Sequence, residues 1–340
     1  MNALKPKQVV KVLVAVLPAR VRDIVISRYG LGEKPERMTL EAIGKKYGIT
    51  RERVRQIENY ALASIRKSAA YGKAKISFDE LERMVEVHGG IVHESDFLSA
   101  VAKDPSTRNH IFFLLVLGNA FTKHKEDEGF HHRWHIDQEL ANRVHKALNN
   151  LCGCMEGHEV MSEPEVIENF LKELKEVSQK YKTDETMRRW LTLSKSIGKN
   201  PLGEWGLMSS PNVRVKGIRD YAYLVIKRHG SPMHFTEVAA TITKLFGKKA
   251  HVATTHNELI KDSRFVLVGR GLYALKEWGY TTGVVKDVIK QVLKTNGPLS
   301  REDIIEKVRK ERYVKDNTIV VNLQDSRLFK RNADGRYALA

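Results

Sequence analysis

The sequence predicts a mainly α, multi-domain protein: a helix-turn-helix unit over residues 1–70, then three winged-helix-like modules with small β-hairpin wings. Three observations predict it. Apolar residues recur at helical spacing through most of the chain, which marks amphipathic helices. Glycine and proline interrupt these stripes at short intervals, so the helices are short and the turns tight. The last 130 residues contain two copies of one unit. Composition places the winged-helix-like modules at 76–150, 212–280 and 281–340, with a helical linker at 163–211.

In chain order, Val9, Val10, Leu13 and Leu17 share a face of a helix over residues 1–16. Residues 18–29 form the next helix, with Gly30 as its C-cap. A polar loop leads to a short helix over 39–47, which Gly48 breaks. Thr50 then caps a helix running to about Lys67, with Glu52 in the first turn, where the helix dipole favours negative charge. Val54, Ile57, Ala61, Leu62 and Ile65 form its inward stripe. Helix, glycine turn, helix is the helix-turn-helix layout. Residues 69–75 read as a linker.

The next module reads as a helix over 78–87 broken by Gly89 and Gly90, then a strand over 91–93. A helix capped by Ser95 and ended by Asp104-Pro105 follows, then a helix over 107–117 and a hairpin from Ala120 to Ile136. Residues 163–191 read as one helix with the stripe Val166, Phe170, Leu174, Val177 and Tyr181, and Trp205 as packing onto a neighbouring domain. In the tandem repeat, Asp262-Ser263-Arg264-Phe265 is echoed by Asp325-Ser326-Arg327-Leu328, and Gly271-Leu272-Tyr273-Ala274-Leu275 by Gly335-Arg336-Tyr337-Ala338-Leu339. The copies lie about 64 residues apart, the size of one winged helix, and each ends in a hairpin, the first with Gly269 at its tip.

The net charge is +17 and the pI about 9.7, which favours a polyanionic partner. Residues 1–75 carry a net +11, residues 76–163 a net −7, residues 212–280 a net +7 and residues 281–340 a net +5. Two basic ends suit phosphate; the acidic middle would be repelled by it and suits a protein contact. With two cysteines no disulfide scaffold is expected. The apolar run from Val12 to Leu17 is too short for a signal peptide, and no stretch reaches membrane-spanning length. A cytoplasmic, nucleoid-associated protein is expected. His124, His131, His132 and His135 cluster near Cys152 and Cys154, but Cys-x-Cys is not a structural zinc spacing, so no metal is expected. His88, His93, His110 and His158 read as structural. No phosphate-binding loop, nucleophile motif or dinucleotide fingerprint is present, so neither enzymatic activity nor a cofactor is expected.

Arg51, Glu52, Arg55 and Gln56 fall at i, i+1, i+4 and i+5, one outward face at the start of the second helix of the helix-turn-helix. These side-chain types pair with base edges: arginine with guanine, glutamate with cytosine, glutamine with adenine. That helix of such a unit lies in the major groove, so double-stranded DNA is the expected partner.

Leu17-Pro18-Ala19-Arg20, Arg28-Tyr29-Gly30-Leu31, Thr39-Leu40-Glu41-Ala42-Ile43-Gly44, Thr50 to Glu58 and Ala61-Leu62 together resemble region 4 of the bacterial sigma-70 family. The resemblance implies recognition of a promoter −35 element and docking on the β flap of RNA polymerase, over residues of about 15 to 68. It implies base contacts at Arg51, Glu52, Arg55 and Gln56, and backbone contacts at Arg20, Arg28, Thr39, Leu40, Thr50 and Arg53. Asn59-Tyr60 departs from the small and basic residues usual there. The run from Phe265 to Trp278 resembles the HARE-type winged helices, a family that includes the RNA polymerase delta subunit's N-terminal domain. In that copy Lys248, Lys249, Thr254, Thr255 and Asn257, with Arg264 and Arg270 beside them, form the basic, polar surface expected to meet DNA backbone. The sequence lacks an aromatic-rich basic segment for capturing an unpaired strand, so promoter opening by this chain alone is not expected. The resulting expectation is a transcription regulator reading a −35-like element; a delta-like polymerase accessory protein and a non-specific nucleoid binder are the alternatives.

Overall fold

The computed structural model describes residues 4–156, 160–280 and 283–340; His158 lies outside them. The chain divides into two compact units, residues 1–198 with 205–208, and residues 199–204 with 209–340.

The first unit opens with α1 (Pro6–Val14), α2 (Ala19–Tyr29), α3 (Leu40–Tyr47) and α4 (Arg51–Arg66). Gly30 and Gly48 both take left-handed conformations at helix ends, with φ of 61° and 66°, where a side chain would be strained. Ile24, Ile43 and Val54, all fully buried, close a small core between α2, α3 and α4. The expected linker is instead a short helix, α5 (Ala69–Lys73), capped by Ser68 and running into α6 (Lys75–Val87). Next come β1 (Ile91–His93), α7 (Glu94–Val101), α8 (Pro105–Leu117), β2 (Thr122–His124) and β3 (Arg133–His135). The strands form an antiparallel sheet in the order β1-β3-β2. Helix, strand, helix, helix, strand, strand is the winged-helix order.

This module does not stand apart from the helix-turn-helix. One core joins Val10, Leu13, Leu17, Val25, Ala61 and Ile65 to Phe78, Leu81, Ile111, Phe113, Leu114 and Leu117. Asn109 on α8, 6% exposed, saturates its amide on the loop beyond α2: Nδ2 donates to the carbonyls of Gly30 (3.0 Å) and Pro35 (2.7 Å), and Oδ1 accepts from Arg37 Nε (2.7 Å). Arg66 on α4 donates to the Val116 and Leu117 carbonyls that end α8.

Sequence pattern missed one long helix, α9 (Gln138–Met155), capped by Asp137. Its stripe of Leu140, Val144, Leu148, Leu151 and Met155 packs on α10 (Glu163–Glu173) and α11 (Asp184–Leu191). Thus 163–191 is two helices and a 3-10 turn, not one helix, and 163–211 is not a linker through its length: Val166, Phe170, Trp190 and Trp205 share a core with α9. Trp205 lies inside that core; its backbone N–H donates to the Met161 carbonyl and its indole N–H to the Glu163 carboxylate. The strands β4 (Ile197–Lys199) and β5 (Trp205–Leu207) fall where the chain passes from one unit to the other.

The second unit holds two modules with the same order of elements. In the first, α12 (Ile218–His229), β6 (Met233–His234), α13 (Phe235–Phe246), α14 (Val252–Lys261), β7 (Phe265–Gly269) and β8 (Leu272–Leu275) form a sheet ordered β6-β8-β7. The hairpin tip is Arg270-Gly271, one residue beyond the expected Gly269, which pairs with Leu272. In the second, α15 (Val285–Asn296), α16 (Arg301–Glu311) and α17 (Asp316–Leu323) precede β9 (Phe329–Arg331) and β10 (Tyr337–Leu339), and Leu299 bridges to Tyr337 as the third strand. The repeated Asp-Ser-Arg motif is a structural lock. Asp262 Oδ1 accepts from the Arg264 N–H, and Asp325 Oδ1 from the Arg327 N–H. The same two carboxylates are tied back to the module's first helix, through Arg264 to Asp220 in one copy and directly to Lys286 in the other.

Candidate nucleic-acid interface

The turn between α3 and α4 is built by backbone geometry. A Cβ on Gly44 would lie 2.6 Å from the Ile49 carbonyl oxygen, so only glycine lets α3 approach the start of α4 this closely. Thr39 and Thr50 cap the two helices, their hydroxyl oxygens accepting from the N–H of Ala42 and Arg53 at 3.1 Å each. The remaining first-turn N–H groups, at Leu40 and Glu41 of α3 and at Arg51 and Glu52 of α4, have no partner within their helices, the arrangement that suits a phosphate oxygen.

The inward stripe of α4 holds Val54, Ala61 and Ile65, all fully buried. Register then forces Arg51, Glu52, Arg53, Arg55 and Gln56 outward, and all five are exposed. Arg55 makes a bidentate pair with Glu52 (2.9 and 2.7 Å), and Arg53 donates to Gln56 Oε1 (3.0 Å). The Arg55 hydrogen bonds hold the Glu52 carboxyl below its ordinary range, and Glu52 raises Arg55 in turn. These pairs, with a further hydrogen bond between Glu52 and Gln56, order four long side chains along the exposed helix face. Arg20 lies beside the same surface, donating weakly to the Tyr47 carbonyl at 3.5 Å, and it lines a groove with Arg53, Gln56 and Tyr60.

Arg28 differs from its expected backbone contact. Its guanidinium turns inward, donating to the Met38 carbonyl at 3.1 Å and pairing with Glu58 at 3.4 Å. Glu58 also accepts from the Tyr29 hydroxyl at 2.6 Å; burial, with that carboxylate second, pushes the Tyr29 phenol far up. The trio fastens the loop before α3 to the inner side of α4.

In the second unit, Lys248, Lys249, Thr254 and Asn257 are exposed around the start of α14. Thr255 is a correction: it is fully buried, its hydroxyl donating to the His251 carbonyl at 3.0 Å, because helical register turns it toward the core beside Leu259. Arg264 is another, its guanidinium held by Asp220 and Asp262. The expected histidine cluster forms a hydrogen-bonded group, His124 Nε2 to His135 Nε2 at 2.9 Å and Arg133 Nε to His145 Nε2 at 2.7 Å. Among the described residues no three His, Cys, Asp or Glu side chains are placed to hold a metal. No helix among them is long and apolar enough to cross a membrane.

The fold and the exposed face of α4 define a helix-turn-helix unit of the kind that reads duplex DNA. Residues 13–67 match the family model of sigma-70, region 4. Over this stretch the chain is 46% identical, across 57 residues, to the RNA polymerase principal sigma factor HrdD of Streptomyces coelicolor, which is 17% of either chain. It is 56% identical over 52 residues to the RNA polymerase sigma factor RpoS of Coxiella burnetii, 15% of this chain and 14% of that one. The chain therefore spans about a sixth of the length of these relatives. The homology supports a DNA-binding role connected with transcription.

Proposed function

We propose that the protein is a DNA-binding transcription regulator that recognises a −35-like promoter element through α4, with the basic modules of its second unit adding affinity for the duplex backbone. The observation that carries this reading is the exposed face of Arg51, Glu52, Arg55 and Gln56 at the N-terminal end of α4. Such side chains distinguish base pairs by their edge pattern in the major groove. A polymerase accessory role, with the helix-turn-helix turned to protein, is the rival. It is disfavoured because α8 fills the apolar side of the domain, leaving the polar, basic face outward. A polymerase contact would have to use exposed polar residues or displace α8.

Selection of bound sequences from a random duplex pool tests the reading: one enriched motif is expected, and a pool without enrichment would leave only the non-specific binder. On the enriched site, Arg51→Ala or Gln56→Ala should cost about 1–3 kcal/mol and relax preference at one base pair. Arg20→Ala should weaken binding to all sequences alike and flatten its salt dependence. Pull-down of core polymerase after nuclease treatment would favour the accessory role.

A further inference from the structure

The two tandem modules share one topology yet place their charge oppositely. In the first, the cations surround the helix that precedes the hairpin: Lys244, Lys248, Lys249 and Lys261 are exposed there, while the hairpin tip offers Arg270. In the second, α17 carries no lysine or arginine; it starts at Asp316 and leaves Val321 57% exposed. Its hairpin instead exposes Lys330, Arg331 and Arg336.

Packing gives an independent reason. The segment just before α17 is taken up by its neighbour. Tyr313 N–H donates to the Val268 carbonyl at 2.8 Å, and Tyr313 bridges Gly269 in parallel, covering the free edge of β7. A Cβ on Gly269 would lie 2.9 Å from the Tyr313 carbonyl oxygen, so the close approach depends on that glycine. Arg312, 3% exposed, anchors the same turn by donating to the Gly283 carbonyl at 3.0 Å. The N-terminal approach to α17 is thus an interface between modules, and past the exposed Lys315 at its N-cap the helix itself presents no cation to phosphate. The β9–β10 hairpin carries the charge: its turn, closed by Asn332 N–H to the Arg336 carbonyl at 2.7 Å and by Gly335 at φ 82°, sets the cations on a short ribbon, where Arg331 donates to the Gly335 carbonyl at 3.2 Å and Arg336 pairs with Asp334 at 3.9 Å, both at the exposed tip.

We propose that the last module meets the phosphate backbone of duplex DNA through its hairpin, with Lys330, Arg331 and Arg336, and not through α17. This rests on the DNA-binding reading above and goes beyond it in assigning the surface. Each phosphate neutralised contributes close to one unit to the slope of log affinity against log salt. The test uses the full chain and a labelled random-sequence duplex of about three helical turns, titrated at several salt concentrations. Reversing Lys330, Arg331 and Arg336 together to Glu should weaken binding at least tenfold at low salt and reduce the salt slope by about two to three. Two controls isolate the surface: Asn317→Glu with Thr318→Glu on α17, and reversal of Arg301, Lys307 and Lys310 on α16, each expected to change the slope by less than one. Circular dichroism melts confirm that every variant folds. A loss from the α17 pair matching or exceeding that of the hairpin triple overturns the assignment, as does an equal effect from the α16 triple, which would mark a general charge effect. If the wild-type chain binds no duplex at all, the underlying reading fails instead. Wild-type binding with no change in the hairpin triple sinks this inference alone.

Discussion

At the scale of single residues, the face of α4 was legible because helical register is fixed by the buried stripe. Once Val54, Ala61 and Ile65 are inside, Arg51, Arg55 and Gln56 have only the outside to occupy. What the pattern could not give was the state of polar residues off that stripe. Thr255 and Arg28 read as surface by type. The first is buried by its position beside Leu259, and the second is drawn inward by Glu58 and the Met38 carbonyl. Such partners come from segments distant in sequence, so no local rule announces them. For Thr255→Val, duplex affinity should stay within twofold, while thermal stability falls by about 1 kcal/mol through loss of the hydroxyl's bond to His251. A parallel melt and binding titration separates the two readouts.

At the scale of elements, two devices set geometry. The turn between α3 and α4 depends on the missing Cβ of Gly44. Gly44→Ala should therefore cost about 1–3 kcal/mol by forcing the helices apart, and it should lower affinity on the enriched site through misplacement of α4. Chemical denaturation alongside binding would check it; an unchanged midpoint would show that the turn yields freely. The second device is the histidine group around the β2–β3 hairpin. Burial first, then Arg133, His124 and His135, pushes His145 from its ordinary 6.5 down to about 4, with Asp127 opposing. The imidazole must stay neutral to accept from Arg133. In the unfolded chain it takes a proton near its ordinary value, so the unfolded state binds more protons between about pH 6.5 and pH 4. Stability should accordingly fall as pH drops through that window and be fully present above it. His145→Gln, a neutral acceptor of similar reach, should make this acid limb shallower in a series of melts, the remainder coming from His124 and His135, which burial also holds below their ordinary value. The helix α9 that carries His145 was missed although its Asp137 cap and the stripe from Leu140 to Met155 are both local signals.

At the scale of the whole molecule, the sequence divided what the first unit joins. Charge separates a basic head from an acidic middle, yet apolar residues of both enter a single core, and Asn109 seals the junction from the α8 side. Leu114→Ala on α8 should cost about 2–5 kcal/mol. It should also loosen α4, so amide exchange should accelerate together in α1, α4 and α8. Faster exchange confined to α8 would mean that the two parts are held independently. Charge composition reports the surface, and a shared core is invisible to it; the tandem repeat, by contrast, was plain because each copy carries its own turn signals.

Helix α8 occupies the place in its module where a winged helix ordinarily meets a groove, yet Pro105 alone of its residues is exposed, the others being buried or half-buried. That module is an internal brace, closed to nucleic acid on its customary side. A protected stretch on a promoter should then be shorter than the number of such units would suggest, and a tally of modules taken from its length would fall one short.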